Sequence, residues 1–212
     1  DAAGNTAAIE FIAGKPVLTY GKAMPITVLA NETYATEMAR LMKYEGFGGD
    51  KLVVLKDEER QRDPNVPIED DRFVNAATLI KRSPDSPLPP LDYGMKILEE
   101  MAWDGTQWSY VCDLTNKTIQ FRTKDAPELK TLRLQDFDFG PDSPTLMMDI
   151  HAAGVIGPDS FSEYSLELNR AQLNKKISGW DSVFTSNGAT LEGALDRISG
   201  YPETTETAVT PD

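Results

Sequence analysis

Residues 6–12 (TAAIEFI) alternate small or apolar side chains with polar ones, and after Ala13, Gly14 and Lys15 a second apolar stretch, PVLTY, follows. Period two on either side of a glycine turn predicts a β-hairpin. Another β-rich run covers 26–29 and ends at Ala30 and Asn31. From Thr33 the period changes. Tyr34, Met38, Leu41 and Met42 fall at helical spacing, and Gly46, Phe47, Gly48 and Gly49 stop the pattern. The segment KDEERQRDPNVP, rich in charge and proline, predicts a mobile loop. A second helix is expected to carry Pro67, Glu69, Asp70 and Asp71 in its first turn, where carboxylates meet the positive end of the helix dipole. Phe73, Ala76, Ala77 and Ile80 form its apolar stripe. After SPDSPLPP, the spacing of Leu91, Met95, Leu98 and Met101 predicts a third helix.

The clearest hairpin pattern comes next. Trp108, Tyr110, Cys112 and Leu114 share one face, expected to be buried; Thr115, Asn116 and Lys117 make the turn; Ile119 and Phe121 resume the apolar face. A further strand is expected over 130–134. Beyond about Asp142 the pattern weakens, leaving one amphipathic helix near 163–177 and a polar, disordered tail, YPETTETAVTPD. Hairpins and helices without regular alternation predict a layered α+β fold. The expected organisation is a main domain over 1–141, a weakly patterned extension over 142–200 and a tail over 201–212.

Composition narrows the partners. Among 212 residues, 34 acidic side chains face 21 basic ones, for a formal net charge of −13. Such a surface repels phosphate backbones, so no nucleic-acid partner is expected. No run approaches the ~18 apolar residues of a membrane span. A single cysteine excludes an internal disulfide and leaves the compartment, periplasmic or cytoplasmic, open. The chain opens at Asp1 and enters a strand pattern at once, so it reads as cut from something longer.

The candidate chemistry is mostly negative. One histidine, His151, and one cysteine cannot build a His- or Cys-rich metal site, and no nucleotide-binding glycine motif is present, so no cofactor is expected. Cys112, placed among aromatic neighbours on the face expected to be buried, reads as core rather than nucleophile. The segment DFDFGPD (136–142) lacks the spacing of a calcium loop and reads as a solvated acidic turn. Asn31-Glu32-Thr33 and Asn116-Lys117-Thr118 match glycosylation sequons, which short chance matches explain.

The order of several segments carries more. DAAGNTAAIEFIAGKPVL, ITVLANETY, KYEGFGGDK, DDRFVNA and YVCDLTNKTIQF together resemble the later part of the choloylglycine hydrolase and penicillin V acylase family. These are linear-amide hydrolases of the N-terminal-nucleophile superfamily, and the resemblance runs over roughly residues 1–138. It implies part of an αββα sandwich lacking its front half. It also implies a small acyl-amide substrate of bile-salt, penicillin V or acyl-homoserine lactone type. The nucleophile would be an N-terminal cysteine upstream of Asp1, with its own α-amino group as base.

Two site residues are implied here. Asn31, in VLANETY, matches an asparagine that stabilises the oxyanion, and Arg72, in DDRF, matches an arginine that supports the nucleophile. The residues themselves leave plainer readings open: Asn31 as a helix cap, Arg72 as a surface partner of Asp70 or Asp71. Glu32 departs from the serine common at that place and puts the substrate class in doubt. A chain lacking the front half is expected to be inactive alone, with uncovered apolar faces that favour the N-terminal half or a second copy as partner. The alternative to an amidase is a non-catalytic homologue that serves as a binding module.

Overall fold

The computed structural model describes residues 1, 3–55, 71–177, 179, 184–185, 188 and 190–200. The expected mobile loop, Pro67, Glu69, Asp70 and the expected tail lie outside the described residues. The chain divides into two compact units, Asp1–Leu134 and Gln135–Asp212.

In the first unit, strands β1 (Ala7–Ile12) and β2 (Lys15–Tyr20) form the expected hairpin. Ile12 pairs with Lys15 across a two-residue loop, and both loop residues have positive φ, Ala13 at 50° and Gly14 at 76°. That left-handed pair matches the right-handed twist of the flanking strands. Helix α1 (Tyr34–Leu41) follows, capped by the Thr33 side chain, which accepts from the N–H of Thr36. Helices α2 (Arg72–Arg82) and α3 (Pro90–Met101) come next, the latter with proline at its first position. An antiparallel sheet of β3 (Trp108–Asp113), β4 (Thr118–Thr123) and β5 (Lys130–Arg133) completes the unit.

The core gathers where α1 and α2 pack beneath the first hairpin. Ala8, Val28, Tyr34, Leu41, Phe73, Val74 and Ala77 are buried together. The Tyr34 and Phe73 rings meet edge to face, 6.2 Å between centroids. Polar contacts fix the hairpin to α1: Glu10 Oε1 accepts from the N–H of Tyr34 at 2.8 Å. After α1 the chain folds tightly back through the predicted glycine stop. A Cβ on Gly49 would lie 2.1 Å from the carbonyl carbon of Lys43, so only glycine fits that approach.

Several expectations are corrected. Residues 26–29 form no ladder among the described residues, although burial alternates from Met24 through Val28 as in a strand. An apolar alternation fixes an extended chain, but a strand also needs a neighbour for its N–H and C=O groups. Asp71 lies not in the first turn of its helix but before it. Its φ of −74° and ψ of 100° are extended, and its carboxylate caps the helix.

The face of Trp108, Tyr110 and Cys112 is exposed rather than buried. Helix α3 covers the opposite face, where Val111 packs so closely that a Cβ on Gly94 would lie 3.1 Å from Val111 Cγ1. Leu114 leaves the strand altogether and joins the exposed turn. In the first hairpin Ala8 is buried, while Ile12 and Val17 on its face and Ile9, Phe11, Leu18 and Tyr20 on the opposite face are exposed.

The second unit holds a short ladder, β6 (Leu146–Met147) with β7 (Ser162–Glu163), and helices α4 (Leu166–Ile177) and α5 (Leu191–Ser199). Arg170 of α4 pairs with Glu192 and Asp196 of α5. Helix α5 was not expected from the sequence. Gly193 interrupts its interior, and its signal was the Thr190 cap, whose side chain accepts from the N–H of Gly193. Phe137 stacks edge to face on Phe161 at 4.8 Å. Within DFDFGPD, Asp138 accepts from the N–H of Gly140 at 2.9 Å, as a turn-forming aspartate does.

Candidate functional site

Asn31 and Arg72 stand 41 positions apart in sequence yet line one depression of about 230 Å³, together with Glu32, Glu37, Arg40 and Asp71. Asn31 sits just before α1, and Arg72 is the first residue of α2. Both side chains are exposed, and neither has a protein partner among the described residues. Their donors are therefore uncommitted toward the depression they line.

Two of the plainer roles go to neighbours instead, while a pairing of Arg72 with Asp70 lies outside the described residues. Thr33 caps α1, so Asn31 does not. Asp71 pairs with Arg40 rather than Arg72, at 2.8 Å from Arg40 Nη1 to Asp71 Oδ2. The other oxygen of Asp71 accepts from the N–H groups of Phe73 and Val74 at 3.1 and 3.2 Å. Its carboxylate thus satisfies two donors at the start of α2 that the helix cannot satisfy itself.

Glu37 is the most enclosed member of the group, 3% exposed. Its Oε1 accepts from the N–H of Glu32 at 3.2 Å. Its Oε2 lies 3.1 Å from Arg40 Nη1 but makes no hydrogen bond of proper geometry. The hydrogen bond to Asp71, then the charges of Asp71 and Glu37, raise the Arg40 guanidinium above its already high ordinary value. The site is thus a fixed array of charges with two free donor groups at its rim.

What it offers chemically is two polar donor groups beside a set of carboxylates. An uncommitted amide and an uncommitted guanidinium can both meet developing negative charge. Among the described residues, those lining the depression include no cysteine, serine, threonine or lysine. Cys112 lies in β3, does not line the depression and is exposed. Among the described residues no group of three or more His, Cys, Asp or Glu side chains could hold a metal ion. None of the described helices is long and apolar enough to cross a membrane.

Glu37 and Arg40 were not singled out from the sequence. Their spacing of three on one helix, just after Asn31, was the visible signal. Their meeting with Asp71 depends on how α1 and α2 pack.

The fold defined by these elements is a mixed α and β one, with antiparallel sheets, and α3 covers one face of the β3–β5 sheet. It is similar to the structure of penicillin V acylase from Agrobacterium tumefaciens, with a TM-score of 0.56 and 19% identity over 78% of this chain. The chain spans 55% of the length of that solved chain. At this identity the likeness is one of fold alone. No family model matches the sequence, and no curated protein matches it.

Proposed function

We propose that the depression between Asn31 and Arg72 is the charge-stabilising half of the active site of a cysteine amidase that hydrolyses a linear amide C–N bond. The observation that carries this reading is the convergence of Asn31 and Arg72 on one depression with neither side chain committed to a protein partner among the described residues. The likeness of fold to a penicillin V acylase supports the reaction class.

In the proposed reaction, a cysteine thiolate carried by sequence before Asp1 attacks the amide carbonyl, with its own α-amino group as base. The Asn31 amide donates to the oxygen that gains charge. One such donor is worth roughly 10²–10³ in rate. Arg72 favours the thiolate over the thiol by its charge. The tetrahedral intermediate expels the amine, and water then releases the acyl group from the thioester. The substrate pairs an apolar acyl group with a polar amine. Exposed Glu32 in the lining disfavours an anionic substrate group beside it, which ranks neutral lactone amides above acidic conjugates.

A second reading, a binding module without catalysis, is favoured by the lack of a nucleophile among the described residues of the lining. The test begins with the residues encoded before Asp1. If they supply a cysteine that becomes the N-terminus, the protein should hydrolyse penicillin V, a bile-salt conjugate or an acyl-homoserine lactone, and Asn31→Ala should abolish most of that activity. No hydrolysis despite such a cysteine, or hydrolysis indifferent to Asn31→Ala and Arg72→Gln, would sink the amidase reading.

A further inference from the structure

We infer that Arg40 is a positioning residue for this site, joining the backbone that presents Asn31 to the helix start that presents Arg72. This rests on the reading just given, since it assigns what Arg40 does for those two groups. The connection is continuous. The N–H of Glu32, next to Asn31, donates to Glu37 Oε1 at 3.2 Å. Glu37 Oε2 faces Arg40 Nη1 at 3.1 Å, and the same nitrogen donates to Asp71 Oδ2 at 2.8 Å. Asp71 then holds the N–H groups of Phe73 and Val74, directly after Arg72.

The charges explain why a cation is needed at this place. Glu37 is almost wholly enclosed, and Asp71 is largely so, with 10% of its side chain exposed. Both carboxylates converge on a single guanidinium nitrogen. Without Arg40 two enclosed carboxylates would face each other without the cation that both now touch, which costs free energy. They would separate, one moving with the Asn31 loop and the other with the start of α2. Catalytic groups are sensitive to such shifts: displacement by about 1 Å can cost roughly 10²-fold in rate. Another ion pair of the same unit, Arg122 with Glu99 at 2.8 Å, lies outside the depression and serves as a control.

A merely stabilising ion pair would change stability alone, so the test reads two other quantities in the protein as encoded. Amide hydrogen exchange is followed at Glu32 and Val74, the two ends of the connection, and kcat and KM are measured separately. Arg40→Gln should accelerate exchange at both amides together, by about tenfold or more. It should lower kcat by roughly 10²-fold while KM changes little. Arg40→Lys should restore part of both, and Arg122→Gln should alter neither.

If either amide keeps its original exchange rate in Arg40→Gln, the inference is overturned whatever the assay shows. It is equally overturned if both amides loosen and kcat stays the same. A wild-type protein without turnover removes the amidase reading, and the exchange measurement then decides by itself whether Arg40 couples the two segments. Should Arg40→Gln fail to fold, Arg40→Lys and Glu37→Gln carry the same exchange readout.

Discussion

The hydroxyl of Tyr34 donates to the carbonyl oxygen of Ile26 at 2.8 Å, and accepts from the N–H of the same residue at 3.3 Å. One side chain at the start of α1 thereby satisfies both backbone groups of Ile26, in a segment that has no ladder partner among the described residues. It also fixes the run that leads to Asn31. Tyr34→Phe keeps the ring contact with Phe73 and removes both bonds. Urea denaturation should show a loss of about 1–2 kcal/mol, and Asn31-dependent activity should fall with it. Unchanged stability would mean that water replaces the hydroxyl without cost.

Asp71 carries two duties that substitution can separate. Asp71→Asn retains an acceptor for the N–H groups of Phe73 and Val74 but loses the charge beside Arg40. Asp71→Ala loses both, and the cap alone is worth about 1 kcal/mol. Alanine should therefore be the more destabilising change. A double-mutant cycle with Arg40→Gln should show coupling for Asp71→Asn, and strictly additive effects would count against the ion pair as a working contact.

Asn31→Ala should cost little stability, because Thr33 and not Asn31 caps α1. Its effect should appear in turnover, as a fall of roughly 10²–10³-fold in kcat. A variant that instead unfolds at markedly lower denaturant would assign Asn31 a structural role.

Two aspartates set the expected response to acid. The Asp113 carboxyl is held below its ordinary value chiefly by the N–H of Asn116, then by the Asn116 side chain. The Asp138 carboxyl is held down chiefly by the N–H of Gly140, then by Ser143. A carboxyl lowered on folding contributes stability above its unfolded value, and that contribution disappears as pH falls through the folded value. The thermal midpoint should therefore respond little to these two groups from pH 7 to 5, and they should contribute to its fall below about pH 4. Asp113→Asn and Asp138→Asn should each flatten the acid limb. An unchanged limb in both variants would remove these turns from the acid response.

Gly49→Ala tests the close return of the chain after α1. The added carbon would lie 2.1 Å from the carbonyl carbon of Lys43, a backbone atom that cannot swing aside. A loss of about 1–3 kcal/mol is expected in denaturant unfolding. A neutral substitution would show that the loop can open without disturbing the core.

Much of this molecule was legible along the chain. Glycine-punctuated alternation located the hairpin over Ala7–Ile12 and Lys15–Tyr20, and helical spacing located α1 and α3, because these patterns arise from local backbone geometry. The resemblance of short segments put Asn31 and Arg72 forward together, and the two line one depression. Periodicity also put Trp108, Tyr110 and Cys112 on a common face.

Only the tertiary structure decided which faces are covered and which distant residues meet. The outward turn of the Trp108 face follows from where α3 packs on Val111, a choice that the alternation of apolar residues in β3 does not contain. The Arg40 bridge is of the same kind. Its partners lie 3 positions before it and 31 after it, and only the packing of α1 on α2 brings both carboxylates to one guanidinium. Local interactions chose the elements, while burial and charge pairing between them built the site.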